Sequence, residues 1–219
     1  MLSYITLIIC IVLMPLIYWG VLEYQKPSFQ KEENQSRKFF KSKEEFIVLV
    51  VSEAVLIRVW FVFEQTTFLD YKFLLLYFIL VGMTIFCMTD YWERIVPNKI
   101  LLLWLLIFGV IVGMWGLQDL EGFRQELSSI ILGFVFCLIS FGMGYIIGRG
   151  SMGAGDVKLS LVMGLFMTSE YVVGAILYGC IVSAVYSLIQ IIRKKLTRKD
   201  MLPFVPFLYV GLVIRYMIG

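Results

Sequence analysis

The sequence contains no histidine. That absence removes a Ser-His-Asp triad, a Cys-His nucleophile pair and the two-histidine zinc motif of metalloproteases. Cysteine is scarce as well, with only Cys10, Cys87, Cys137 and Cys180 in 219 residues. No two of them stand in the C-x-x-C spacing that a zinc site or a thiol redox pair uses. Each lies in an apolar block and reads as a buried small hydrophobe. No cofactor, no metal and no nucleic-acid partner is expected. Charge is sparse too, at 16% of residues.

What is abundant is apolar surface. Apolar residues make up 60% of the chain and the mean hydropathy is +0.89. A soluble domain runs nearer half apolar. The apolar residues fall into eight segments, near 3–22, 46–63, 71–89, 99–117, 127–148, 157–168, 171–192 and 203–218. A run of about 20 apolar residues spans the hydrocarbon core as a helix. Backbone polar groups in lipid must be satisfied internally. The alternation over about ten residues that marks a membrane β-strand is missing. The expected fold is all-α, a polytopic membrane helical bundle of about eight transmembrane helices, with the lipid bilayer as its surroundings. The first segment opens at Met1-Leu2-Ser3-Tyr4, which carries no basic residue. It also lacks a small-x-small cleavage site, so it is expected to span rather than to be removed.

Charge sets the expected orientation. The loops after segments one, three, five and seven hold 15 of the 19 basic residues, from Lys26 through Arg94, Arg149 and Lys158 to the cluster Arg193, Lys194, Lys195, Arg198 and Lys199. The opposite loops hold Lys72, Arg124 and Arg215, and Arg58 lies within the second segment. The positive-inside rule puts the basic loops in the cytoplasm and both termini outside it. The domain organisation expected is a first transmembrane helix at 1–22, a short cytoplasmic loop at 23–45 and a seven-helix core at 46–219. The loop at 23–45 reads equally as a linker or as an amphipathic segment dipping Phe39 and Phe40 into the membrane. The basic cluster at 193–199 reads as a topology anchor.

Ionisable groups at membrane depth are costly, of order 2.5–3.5 kcal/mol at a helix centre on insertion scales, and mark candidate sites. Two acids stand out. Asp90 closes the third segment in Met88-Thr89-Asp90-Tyr91-Trp92, and Asp156 opens the sixth in Gly153-Ala154-Gly155-Asp156-Val157-Lys158. The topology puts both at the cytoplasmic face. Either alone could be an interfacial helix cap. Together they form a candidate proton-sharing pair, one member activating water and the other hydrogen-bonding a peptide carbonyl. Such a pair titrates as a unit. Glycines beside Asp156 would let backbone approach closely.

At these residues the sequence resembles the type IV prepilin peptidase family, the bacterial relatives of the Gly-x-Gly-Asp intramembrane proteases. Three stretches carry the likeness. They are Gly150-Ser151-Met152-Gly153-Ala154-Gly155-Asp156-Val157-Lys158-Leu159, Asp90 followed by Pro97-Asn98, and Leu202-Pro203-Phe204-Val205-Pro206-Phe207-Leu208. The resemblance implies that Asp90 and Asp156 are the catalytic aspartates of an endopeptidase. It also implies prepilin or pseudopilin precursors as substrate partners, and the bacterial cytoplasmic membrane as the location. Members often add an N-methyltransferase activity through a large domain after the first helix, with two Cys-x-x-Cys pairs. Here 23–45 holds no cysteine, and methylation is not expected. The supporting or substrate-binding positions are Gly153, Gly155, Lys158, Asn98 and Pro97. Pro97 would shape the start of the fourth helix, Asn98 would orient Asp90, and Lys158 would tune the pair, contact substrate or snorkel. Glu53 and Arg58 read as buried polar structure that pairs within the bundle. Two other readings stay open: a transporter or channel using the aspartates as an ion or proton site, and an inactive assembly partner.

Overall fold

The computed structural model describes residues 2–29, 43–62, 70–148, 152–195 and 202–218. Residues 30–42, the greater part of the expected loop at 23–45 with Phe39 and Phe40, lie outside them, as do Arg149, Gly150, Ser151, Arg198 and Lys199. Eight helices are described and no strand: α1 (Leu2–Phe29), α2 (Lys43–Val62), α3 (Tyr71–Glu93), α4 (Asn98–Gln118), α5 (Leu120–Ile147), α6 (Ala154–Phe166), α7 (Ser169–Ile192) and α8 (Val205–Ile218). Each expected apolar segment holds one helix. α1 continues past its apolar stretch to Phe29, and the short sixth segment is the 13-residue α6. Four helices, α3, α4, α5 and α7, are long and apolar enough to cross a membrane, and α1 and α8 contribute shorter apolar stretches. The chain is an all-helical membrane protein.

Local chemistry sets the helix ends. Asp70 caps α3, its carboxylate accepting the N–H of Lys72 at 2.9 Å and of Phe73 at 3.4 Å. Asp119 ends α4 and starts α5, accepting the Gly122 N–H at 2.9 Å. Such caps satisfy the donors that a first helical turn leaves unpaired. Arg94 closes α3 in the left-handed region at φ 54°, and its N–H returns to the Asp90 carbonyl.

α3 is the axis of the bundle. Its apolar window is 89% buried, against 22% for α4, α5 and α7, which face outward. Helices in lipid are held by close packing and interhelical hydrogen bonds rather than by expulsion of water, and both are present. Gly133 of α5 lies against the Gly164 carbonyl of α6, and Gly211 of α8 lies against Ala175 and Gly179 of α7. The Trp104 indole of α4 covers Gly82 of α3 and donates to the Phe78 carbonyl at 2.7 Å. A buried hydroxyl cluster joins three helices. Ser52 of α2 meets Thr84 of α3 at 2.8 Å and Tyr209 of α8 at 2.6 Å, and Tyr209 also donates to the Val48 carbonyl at 3.0 Å.

Two expectations about polar residues change. Cys10, Cys87 and Cys137 are buried, but Cys180 is exposed. It lies among the outward residues of α7, with Leu177 and Ile181. Arg58, expected to be buried, is exposed on α2, although it does pair within the bundle, donating from Nε to the Tyr216 carbonyl at 3.2 Å. Glu53 keeps one buried carboxyl oxygen without a hydrogen-bond partner, in a region where its charge reaches Cys10 and Tyr77.

Candidate active site

The end of α3 and the starts of α4, α6 and α8 converge at one end of the bundle. Asp90 lies in the last turn of α3 and is 5% exposed. Its Oδ2 accepts the N–H of Val205 at 3.0 Å, and the Phe204 N–H also reaches the carboxylate. Val205 is the first residue of α8. The N–H groups of a first helical turn have no partner within the helix, and here they turn to a carboxylate. Pro206 falls in the same turn, where the missing proline N–H leaves no gap in the ladder. The guanidinium of Arg94 adds positive charge beside Asp90.

Asp156 is half-buried and is the third residue of α6, after Ala154 and Gly155. The cap residue is Gly153, not Asp156. The Asp156 N–H donates to the Gly153 carbonyl at 3.1 Å, and the Gly153 N–H donates back to the Asp156 carboxylate. This is half of a capping box, the carboxylate at the third helical position reaching back to the cap N–H, because Gly153 has no side chain to complete it. Asp156 Oδ2 sits 3.3 Å from where a Cβ on Gly153 would stand, so glycine leaves the room the carboxylate occupies. Gly155 has a different task. A Cβ there would lie 3.0 Å from Val96 Cβ and 3.3 Å from Val96 Cγ2. The bare glycine lets the first turn of α6 rest on the 94–97 turn that follows Asp90.

That contact places Asp156 within the field of Asp90. Asp156 precedes the apolar stretch of α6 and lies outside the four spans. Its carboxyl is pushed up to about 6, first by burial and second by the negative charge of Asp90, with the Gly153 N–H opposing. Two nearby carboxyls of this kind resist double ionisation.

The remaining expected residues gather at the same end. Lys158 donates from Nζ to Asn98 Oδ1 at 3.1 Å, tying α6 to α4. Asn98 is thus met with Lys158 as its partner, while Asp90 is held from α8. Pro97 occupies the cap position of α4 at φ −70° and its carbonyl accepts the Leu101 N–H at 3.1 Å. An apolar groove of about 400 Å³ lies between α2, α3 and α8, lined by Val48, Val51, Cys87, Met88, Tyr91 and Val210 among others, with Asp90 outside its lining. A second cavity, about 460 Å³, lies at the far end around Lys72, Glu126, Ser169 and Tyr171 and takes no part in this site. Among the described residues no group of three or more Cys, Asp or Glu gathers as a metal site. Val205 and Val96 are the contributors that residue chemistry does not announce, since one acts through its backbone and the other by its bulk.

The fold and site define a membrane-embedded helical bundle with two interacting carboxyls at one end. The chain matches the type IV leader peptidase family over residues 76–188, a stretch that contains both Asp90 and Asp156, and it belongs to that family. It is 24% identical over 135 residues to a prepilin leader peptidase/N-methyltransferase of Bacillus subtilis, covering 62% of this chain and 52% of that protein. It is 27% identical over 166 residues to a protein of the same description from Haemophilus influenzae, covering 74% of this chain and 68% of that one. The chain therefore spans about half the length of the first relative and about two thirds of the second. No solved structure matches it.

Proposed function

We propose that this protein is a membrane-embedded aspartyl endopeptidase that removes the leader peptide of type IV prepilin or pseudopilin-like precursors, with Asp90 and Asp156 as its catalytic pair. The observation that carries the reading is the packing of Gly155 on Val96, which sets a half-buried Asp156 beside the turn that follows the buried Asp90, at one end of a bundle of the leader peptidase family. The pair holds one proton between its two members. A water gives up a proton to the ionised carboxylate, and its oxygen bonds to the peptide carbonyl carbon. The protonated carboxyl hydrogen-bonds the carbonyl oxygen and stabilises the developing charge. Collapse of the tetrahedral intermediate breaks the C–N bond, and the pair protonates the departing amine.

The substrate class follows from what the two relatives are named for. The basic loops after α1, α3, α5 and α7 favour the cytoplasmic face for the cut. A bacterial cytoplasmic membrane, crossed several times with both termini outside the cytoplasm, is the matching location. The apolar groove between α2, α3 and α8, lined by Met88 and Tyr91 of the last turns of α3, suits a substrate with an apolar segment. The stretch 23–45 holds no cysteine, so this chain supplies no zinc-bound methyltransferase domain there, and the proposal is peptidase activity alone.

The test is co-expression with a pilin precursor, with the faster-migrating product followed over time. Asp90→Asn and Asp156→Asn, made separately, should each lower the cleavage rate by at least about 100-fold, within the range for loss of a general acid or base. Cleavage at the unaltered rate in either variant would end the paired-aspartate reading.

A further inference from the structure

The two aspartates are not held alike. Asp90 Oδ2 takes the Val205 N–H at 3.0 Å, the Phe204 N–H joins it, and the Arg94 guanidinium lies near. Asp156 has the N–H of Gly153 alone among backbone donors and faces the negative charge of Asp90. Hydrogen bonds to a carboxylate favour its ionised form. Burial of a residue 5% exposed works against its charge, and the fixed donors work against burial, each the stronger where water is scarce. The donor is fixed at its other end as well. Tyr209, one turn along α8 from Val205, is locked by its bonds to Ser52 at 2.6 Å and to the Val48 carbonyl at 3.0 Å. The hydroxyl cluster at Thr84 thus sets the height of α8 along α3, and with it the position of the Val205 N–H under Asp90.

We infer that the backbone N–H of Val205 is a positioning group that keeps Asp90 the ionised member of the pair, so that Asp90 receives the proton of the attacking water and Asp156 carries the proton already present. This rests on the proposed peptidase reading and adds a direction to it. In the first step a water O–H bond breaks, its proton goes to Asp90, and a C–O bond forms at the scissile carbonyl. The Asp156 proton passes to the carbonyl oxygen. In the second step the C–N bond breaks, the amine takes the proton from Asp90, and the intermediate's hydroxyl returns a proton to Asp156. The pair ends as it began. Other groups near Asp90 do not reverse the assignment. On α3 these are Arg94 and Cys87, and on α8 Tyr209, whose hydroxyl is engaged. From α4 comes Asn98, bonded to Lys158 of α6. From α2, Glu45 is buried near the same end of the bundle. Glu53 of α2 and Cys10 of α1 act on each other and on Tyr77, deeper in the bundle.

The experiment removes one hydrogen. Val205→Pro deletes the N–H at the first helical position, where proline is best tolerated, and Val205→Ala keeps the N–H as the control. The readout is kcat/KM against pH for the purified full chain in detergent micelles, with a purified pilin precursor. In Val205→Pro the acidic limb should move up by about one to two pH units, the effect of losing one hydrogen bond to a charged group. The limb of Val205→Ala should stay in place. If the proline variant does not fold, a backbone ester at 205 removes the same N–H without the ring and carries the same expectation. An acidic limb that coincides in the N–H-less and control proteins overturns the inference, as does a uniform loss of rate at every pH. Asp90→Asn is run beside them. Full cleavage there would refute the peptidase pair itself, whereas an inactive Asp90→Asn with an unmoved limb refutes only the role of Val205.

Discussion

Gly155→Ala tests the contact that brings the carboxyls together. The added Cβ would stand 3.0 Å from Val96 Cβ and 3.3 Å from Val96 Cγ2. Carbon atoms pack best at roughly 3.5–4.0 Å, so the first turn of α6 and the 94–97 turn must separate by roughly 0.5 Å. Two opposing effects act on stability. Alanine in place of a helical glycine stabilises by up to about 1 kcal/mol, and overpacking costs about 1–3 kcal/mol. The net change is therefore small, and the melting temperature should move only a few degrees. Catalysis has no such compensation, because the displaced group is the turn that carries Asp156. A misplacement of about 1 Å can cost about 100-fold in rate, so half of that predicts a loss of about tenfold. The assay is a time course of precursor cleavage beside a thermal melt of the same preparation. Val96→Gly removes the Cβ and the Cγ2 together, and combined with Gly155→Ala it should restore most of the lost rate. Two results would refute the reasoning: Gly155→Ala at full rate, or a double variant no faster than Gly155→Ala.

Three further outcomes follow from the same geometry. The Asp156 carboxyl is held up to about 6 by burial and then by the Asp90 charge, so kcat/KM, which reports the free enzyme, should fall about tenfold per pH unit above about 6; a flat profile from about 5 to 8 would contradict it. Because the folded state favours the protonated form, the stabilisation this group contributes is present at acidic pH and lost as pH rises through about 6, a dependence that Asp156→Asn should abolish in melting experiments. Tyr209→Phe removes the bonds to Ser52 and to the Val48 carbonyl and should destabilise by about 1 kcal/mol, the scale of an interhelical hydrogen bond in a membrane bundle. Its melting temperature should fall and cleavage should slow with it; an unchanged melt would remove the hydroxyl cluster as the lock on α8.

How much of this could be read in the sequence depends on which part of a residue does the work. The eight helices were legible because hydropathy is a property of side chains in runs, and each apolar run holds one helix. Asp90 and Asp156 stood out because a carboxyl is costly near lipid, and alternating basic loops put them at one end. The centrality of α3 was not legible, since α3 and α4 are both long and apolar and only packing distinguishes 89% burial from 22%. Asp156 read as a cap, but the cap is Gly153 with Asp156 reaching back to it, an arrangement set by where the helix starts rather than by composition. Asn98 was expected to orient Asp90, and the bond found joins it to Lys158.

The hold on Asp90 comes from position 205, beyond the stretch 76–188 that matches the family. A backbone N–H is common to every residue except proline, so the identity of Val205 carries almost no signal of its task. The signal lies beside it. Pro203 and Pro206 keep the chain from extending α8 backward, so the helix begins at Val205 and its first N–H groups are left free to face a carboxylate. A substitution at 205 that keeps the N–H and fits the buried space of Val205 should therefore leave the pH profile in place, whereas moving the start of α8 by one residue should not.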